Sequence, residues 1–187
     1  MSYRETELAL LFAQVEDSLA ALYGACASRF SRDYDLWHNL AEDEREHARV
    51  AQRFAEAAER GEFFFKDRRA KEFLLKSTLA YVRDIRNAVE SGTLDGPGVL
   101  RLALSIEESI VERGLFTQFV SGDEDVIEAL ARLGKETSRH AWAIRTVLAK
   151  RERVVALPQA GSPLRRSGAR QEPPQAPSPK SPPPSRQ

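Results

Sequence analysis

The most constraining stretch of the chain runs from Trp37 to Ala58. Within it Trp37, Leu40, Glu44, His47, Ala51, Phe54 and Ala58 recur at steps of three and four, tracing one face of an α-helix. That face is apolar except at its centre. There Glu44 and His47 sit one turn apart, where the pattern calls for leucine. A buried carboxylate without a partner costs at least several kcal/mol, so this face requires a proton, a counter-charge or a metal ion. Two inward groups at i and i+3 are what one helix contributes to a metal site inside a bundle.

An internal repeat supplies the remaining groups. Residues 13–19 (AQVEDSL) match residues 104–110 (LSIEESI) in type and place Glu16 opposite Glu107. Residues 40–48 match residues 133–141 through Leu40 and Leu133, His47 and His140, Ala48 and Ala141. The two offsets are nearly equal, so the chain reads as two helical hairpins of one plan. Each hairpin carries a glutamate on its first helix and a histidine on its second.

Composition narrows the function classes. The 187 residues suffice for one domain with a sizeable core. Equal numbers of basic and acidic residues, 28 each, argue against a general binder of nucleic acid or anionic membrane. The single Cys26 excludes a disulfide framework or a four-cysteine metal module on this chain, and its place on an apolar stripe reads as a buried structural thiol. The charged start is unlike a signal peptide, and no apolar run reads as long enough to span a bilayer, so a reducing cytoplasm is the expected location.

In chain order, the stripe Leu8, Leu11, Phe12, Val15, Leu19, Leu22, Cys26 predicts a first helix over 3–28, with Glu16 turned inward. Tyr23 lies two turns beyond Glu16. Its phenol is either a hydrogen-bond partner and electron donor to a ligand or a core tyrosine with a satisfied hydroxyl. The second helix ends near Arg60 at Gly61, and His38, a quarter-turn off the ligand face, reads as a surface histidine. Phe63, Phe64 and Phe65 precede an amphipathic crossover helix over 67–91, and the aromatic run reads either as packing of the crossover against the bundle or as an oligomer contact, the first being the commoner. Residues 92–98 form a breaker loop without a phosphate-loop lysine. A third helix is predicted over 97–120 and a fourth over 123–153, the latter with Thr137 where the repeat calls for a counterpart of Glu44. Glu136, one residue earlier, is the candidate replacement. The helical domain is drawn as residues 1–154. Residues 155–187 are Pro-rich and read as a disordered tail, within which Gly161, Ser162, Leu164, Arg165 and Arg166 set one aliphatic anchor beside two guanidinium groups, suited to docking in a partner's groove.

Glu16 followed by Tyr23, the sequence DEREH ending in His47, IEESIVER with Glu107 and KETSRH with His140 together resemble the rubrerythrin group of the ferritin-like superfamily. The resemblance covers about residues 7–150. It implies an all-α, ferritin-like four-helix bundle of two hairpins and a carboxylate-bridged di-iron centre held by Glu16, Glu44, His47, Glu107 and His140, with Glu136 in place of the missing bridge. Thr137 and Ile110 stand where that family's pattern has further glutamates. The implied activity is oxidation of Fe(II) by O2 or peroxide, as a ferroxidase or peroxide scavenger with a separate electron donor and a homodimeric assembly. Manganese or a mixed pair suits the same ligands. The tail sequence GSPLRR, with Pro163 inserted, is similar to the C-terminal peptides that load cargo into encapsulin nanocompartments, which implies an encapsulin shell as partner. The alternative reading is a degenerate bundle with one metal or none, serving as a structural or interaction module.

Overall fold

Two glycines mark where the second and third long helical segments end. Gly61 (φ 76°) and Gly92 (φ 79°) adopt the left-handed conformation that side-chain-bearing residues avoid. At the first, Gly61 and Glu62 donate their backbone N–H groups to the carbonyls of Ala58 and Ala57. At the second, Gly92 and Thr93 donate to those of Val89 and Ala88. Both are Schellman closures, which satisfy carbonyls that a helix end leaves bare.

The computed structural model describes residues 2–112 and 119–156, within a unit spanning Met1–Ala156. The tail peptide of residues 161–166 lies outside the described residues. Helix α1 spans Ser2–Arg29, and a single 3-10 turn at Ser31–Asp33 leads into α2, Tyr34–Glu59. Strand β1 is Phe63–Phe65, followed by α3, Arg68–Glu90, and α4, Gly96–Glu112. Strand β2 is Phe119–Ser121, and α5 is Glu124–Ala156. Asp67, Asp95 and Asp123 open the last three helices, each accepting from a backbone N–H in the first turn that follows: Ala70, Gly98 and Asp125. The fold is thus mostly helical. Helices α1 and α2 form one hairpin, α4 and α5 a second, and the crossover helix α3 lies along α1.

The expected third helix over 97–120 is shorter in the structure, because Phe119 belongs to a strand. β1 and β2 pair antiparallel, with Phe63 opposite Ser121, Phe64 opposite Val120 and Phe65 opposite Phe119. Alternation along β1 buries Phe63 and Phe65 and exposes Phe64. The buried rings build one aromatic cluster. Phe63 stacks on Phe54 of α2 at 5.2 Å and on Phe119 at 5.1 Å, Phe65 meets the edge of Phe119 at 4.8 Å, and Phe12 of α1 lies 6.0 Å from Phe119. The Phe63–Phe65 run packs against α2 through Phe54 and does so as one arm of a two-stranded clasp.

Residues 4–29 of α1 are, by length and composition, apolar enough to cross a membrane, which corrects the expectation that no run is. Their apolar face is spent inside the protein. Leu8, Phe12, Val15, Leu19, Leu22, Tyr23 and Cys26 are all buried, and α1 packs against α2 and α3. Such a helix passes a hydropathy test because it is a core element on two sides.

Candidate metal centre

Every third or fourth position of four helices points into the same interior, and polar groups stand on each. Glu16 on α1, Glu44 and His47 on α2, Glu107 on α4 and His140 on α5 are all at most 3 % exposed. Donor atoms of Glu44, His47 and His140 lie within 4.8 Å of one another, a spacing one cation can span. Glu44 is the hub. Its Oε2 accepts from His47 Nδ1 at 2.7 Å and its Oε1 lies 2.9 Å from His140 Nδ1. Glu107 Oε2 is 3.9 Å from the same His140 nitrogen, and Glu16 is hydrogen-bonded to Glu44. The two imidazole rings stack at 5.4 Å, tilted by 22°.

The outer nitrogens of the two histidines are held by a crossed pair of carboxylates. His47 Nε2 on α2 faces Glu136 Oε2 of α5 at 3.1 Å, and His140 Nε2 on α5 faces Asp43 Oδ2 of α2 at 3.1 Å. Glu136, a candidate ligand by sequence, is thus at the half-buried rim and on the far side of His47 from Glu44. Thr137, at the repeat position of Glu44, turns its hydroxyl back to the Leu133 carbonyl at 3.0 Å. Asp43 escaped the sequence reading. The repeat register carried the signal, since Asp43 aligns with Glu136.

Tyr23 Oη donates to Glu107 Oε1 at 2.5 Å, so its phenol touches the cluster through that carboxylate. Its ring stacks on Trp37 of α2 at 5.6 Å. His38 is exposed and stacks on Tyr34, and Cys26 is buried, with burial pushing its thiol up to about 12.

Three carboxyl groups buried together cannot all be anionic without cations between them. Burial, then repulsion from Glu44, lifts Glu16 well above the carboxylate range, and the same two causes raise Glu107 to about 8. Burial would raise Glu44 as well, but its contacts with the two imidazoles overcome that and hold it at about 2. Burial disfavours charge on both histidines, yet Glu44 raises His47, and Glu44 with Glu107 and Asp43 raises His140 to about 9. Protons on these groups fill the role that a multivalent cation fills in a metal site.

The donor set fits such a cation. His140 Nδ1 is buried and, although near Glu44, is out of line for a hydrogen bond to any described residue. A nitrogen aimed into a carboxylate cluster without a well-aligned hydrogen bond is a ligand's disposition, and a carboxylate on its other nitrogen is the usual support for a metal-bound imidazole. Oxygen and imidazole donors without thiolate suit iron, manganese or zinc.

No family model, curated protein or solved structure matches the chain. The reading of this site therefore stands on its side chains: a buried Glu, His and His able to bind a metal ion, two further buried glutamates in contact with them, and a tyrosine hydrogen-bonded to one.

Proposed function

We propose that the chain is a ferritin-like protein of the rubrerythrin type that holds a pair of iron ions and oxidises Fe(II) with O2 or peroxide. The observation that carries the reading is the convergence of Glu16, Glu44, His47, Glu107 and His140, one or two groups from each of four helices, in one buried cluster. The ligand plan of di-iron carboxylate bundles is a glutamate from each of two helices and Glu-x-x-His from each of the other two; this chain carries all of it but the second glutamate, where Thr137 stands. Glu16 and Glu107 would each supply a carboxylate, His47 and His140 an imidazole, and Glu44, which lies between both imidazoles, the carboxylate shared by the two halves of the site. Asp43 and Glu136 orient the rings from outside. Bound iron supplies one-electron reducing power to the oxidant. The chain excludes bulk water and provides titratable carboxyl groups that take up or release the accompanying protons.

Within this reading the tail docks the protein, through Gly161, Ser162, Leu164, Arg165 and Arg166, to the inner face of an encapsulin shell in the cytoplasm, where a homodimer is the expected assembly. Co-expression with such a shell, with and without residues 157–187, tests the tail. The oxidase reading is tested by Fe(II) oxidation against buffer: no acceleration, or an unchanged rate in Glu44→Ala, overturns it.

One observation favours a second reading. The Thr137 hydroxyl is spent on its own helix, so α5 lacks a bridging carboxylate at that position, as in a bundle that has kept the fold and holds one metal or none. On that reading chelation leaves both Tm and partner binding unchanged.

A further inference from the structure

The crossover helix α3 carries two aromatic rings on its outward face. Phe73 is 76 % exposed, the most of any large apolar side chain among the described residues, and Tyr81, two turns on, is 44 % exposed. Between them the ridge is low, since the exposed Ser77 and Ala80 are small. Beside the ridge runs a groove of about 320 Å³ between α3 and α4. Buried side chains of Val15, Leu75, Ile106 and Ile110 line it, and Tyr81 stands at its edge. An apolar cavity of about 150 Å³ already takes a benzene ring, so this groove has room for a phenylalanine. A projecting ring and a recess that fits one thus lie side by side on the same face. Isologous pairing needs that arrangement, because one patch then serves both partners.

We infer that two copies of this chain pair through α3, the helices antiparallel and crossing at Ser77, with Phe73 of each copy seated in the α3–α4 groove of the other. Reversing the helix about Ser77 sets Phe73, four residues before it, beside the partner's Tyr81, four residues after it. The same reversal matches the charges. Arg69, eight residues before Ser77, meets the partner's Asp84, seven after it, and Glu72, five before, meets the partner's Arg83, six after. All four side chains are exposed, and Arg69, Arg83 and Asp84 have no ion pair among the described residues; Glu72 holds Lys76 of its own helix at 2.5 Å. A parallel pair would instead set each charge against its own kind. Such rim charges choose direction and register, while the two buried rings carry the affinity. Small Ser77 and Ala80 at the crossing let the helices approach. A foreign partner would have to supply the ring, the recess and the reversed charges together, and a second copy has all three. The di-iron reading expects a homodimer, and this inference gives it a surface.

Analytical ultracentrifugation of the full chain over a range of concentrations tests the pairing. Chelator-treated protein is used, so a failed interface and a failed metal site are told apart. The expected result is a dimer whose Kd rises at least about 30-fold in Phe73→Ser, with the helical circular dichroism unchanged because the ring lies outside the core. Trp142→Ser, which removes a ring of α5 that is also mostly exposed, should leave the Kd where it was. Asp84→Arg should weaken the dimer by setting arginine against arginine, and adding Arg69→Asp should restore it. That rescue is specific to the antiparallel register, and a general loss of stability would not produce it. A dimer indifferent to Phe73→Ser, or an Asp84→Arg defect that Arg69→Asp does not repair, overturns the pairing. A chain that stays monomeric at every concentration also overturns it and leaves the groove to another partner.

Discussion

Asp43 and Glu136 occupy the same position of the internal repeat and each serves the histidine of the opposite hairpin: Asp43 on α2 faces His140 on α5, and Glu136 on α5 faces His47 on α2. The exchange ties the hairpins across the site and presents the Nδ1 side of each ring to Glu44. Because these carboxylates act through the rings, neutralising them weakens a metal site without removing a ligand. Asp43→Asn and Glu136→Gln should each lower metal affinity roughly 10- to 100-fold. Metal titration by calorimetry checks this. Both residues are partly exposed, so the metal-free Tm should move little.

Acidity should govern the stability of the metal-free protein in a direction set by the cluster. Glu44 is lowered from 4.5 to about 2, so its contribution is present above pH 4.5 and lost as the pH falls toward 2. Glu107 is raised from 4.5 to about 8, so stability declines as the pH rises between those values. His140 is raised from 6.5 to about 9, and its contribution, complete below 6.5, is lost by about 9. The Tm of chelator-treated protein should therefore peak in mild acid and fall toward pH 9. Metal affinity should run the other way, rising with pH roughly tenfold per unit for each proton displaced. A metal-free Tm that climbs from pH 6 to pH 9 would contradict the proton-filled cluster.

The sequence disclosed the interior of this site better than its surroundings, for a physical reason. Helical period is a local property, so steps of three and four placed Glu44, His47, Glu107 and His140 inward without knowledge of any neighbour, and the internal repeat, which pairs Glu16 with Glu107, decided Glu16. The strands carry no such period. A run of three phenylalanines reads alike in a strand or a helix, and the partner of Phe65 is Phe119, far along the chain. Residue 119 lay inside a stretch whose pattern suited a continuing helix. The roles of Asp43 and Glu136 were hidden for a similar reason: both sit off the inward face and meet their histidines only once the hairpins have packed together.

The aromatic clasp gives a stability prediction free of the metal. Phe63 is fully buried and contacts the rings of Phe54, Phe65 and Phe119. Phe63→Ala should cost about 3–5 kcal/mol, measured by urea unfolding of metal-free protein. Phe64→Ala, whose ring faces outward, should change stability within about 0.5 kcal/mol.

Thr137 offers a gain-of-function check. Thr137→Glu adds a carboxyl group one turn before His140, at the repeat position of Glu44. In metal-free protein it should lower stability by about 1–3 kcal/mol, the cost of burying an unsatisfied polar group. Metal should restore it, since a ligand at about 100 times its Kd adds about 2.7 kcal/mol. Equal destabilisation with and without metal would show that position 137 does not reach the site.

The central claim is most directly tested by counting iron. The protein is loaded with Fe(II) without oxygen and desalted, and iron per chain is measured beside Glu44→Ala. The account predicts about two irons per chain, lost in the variant because the hub between both imidazoles is gone. One iron or none in the unaltered protein, or two retained in Glu44→Ala, would contradict it.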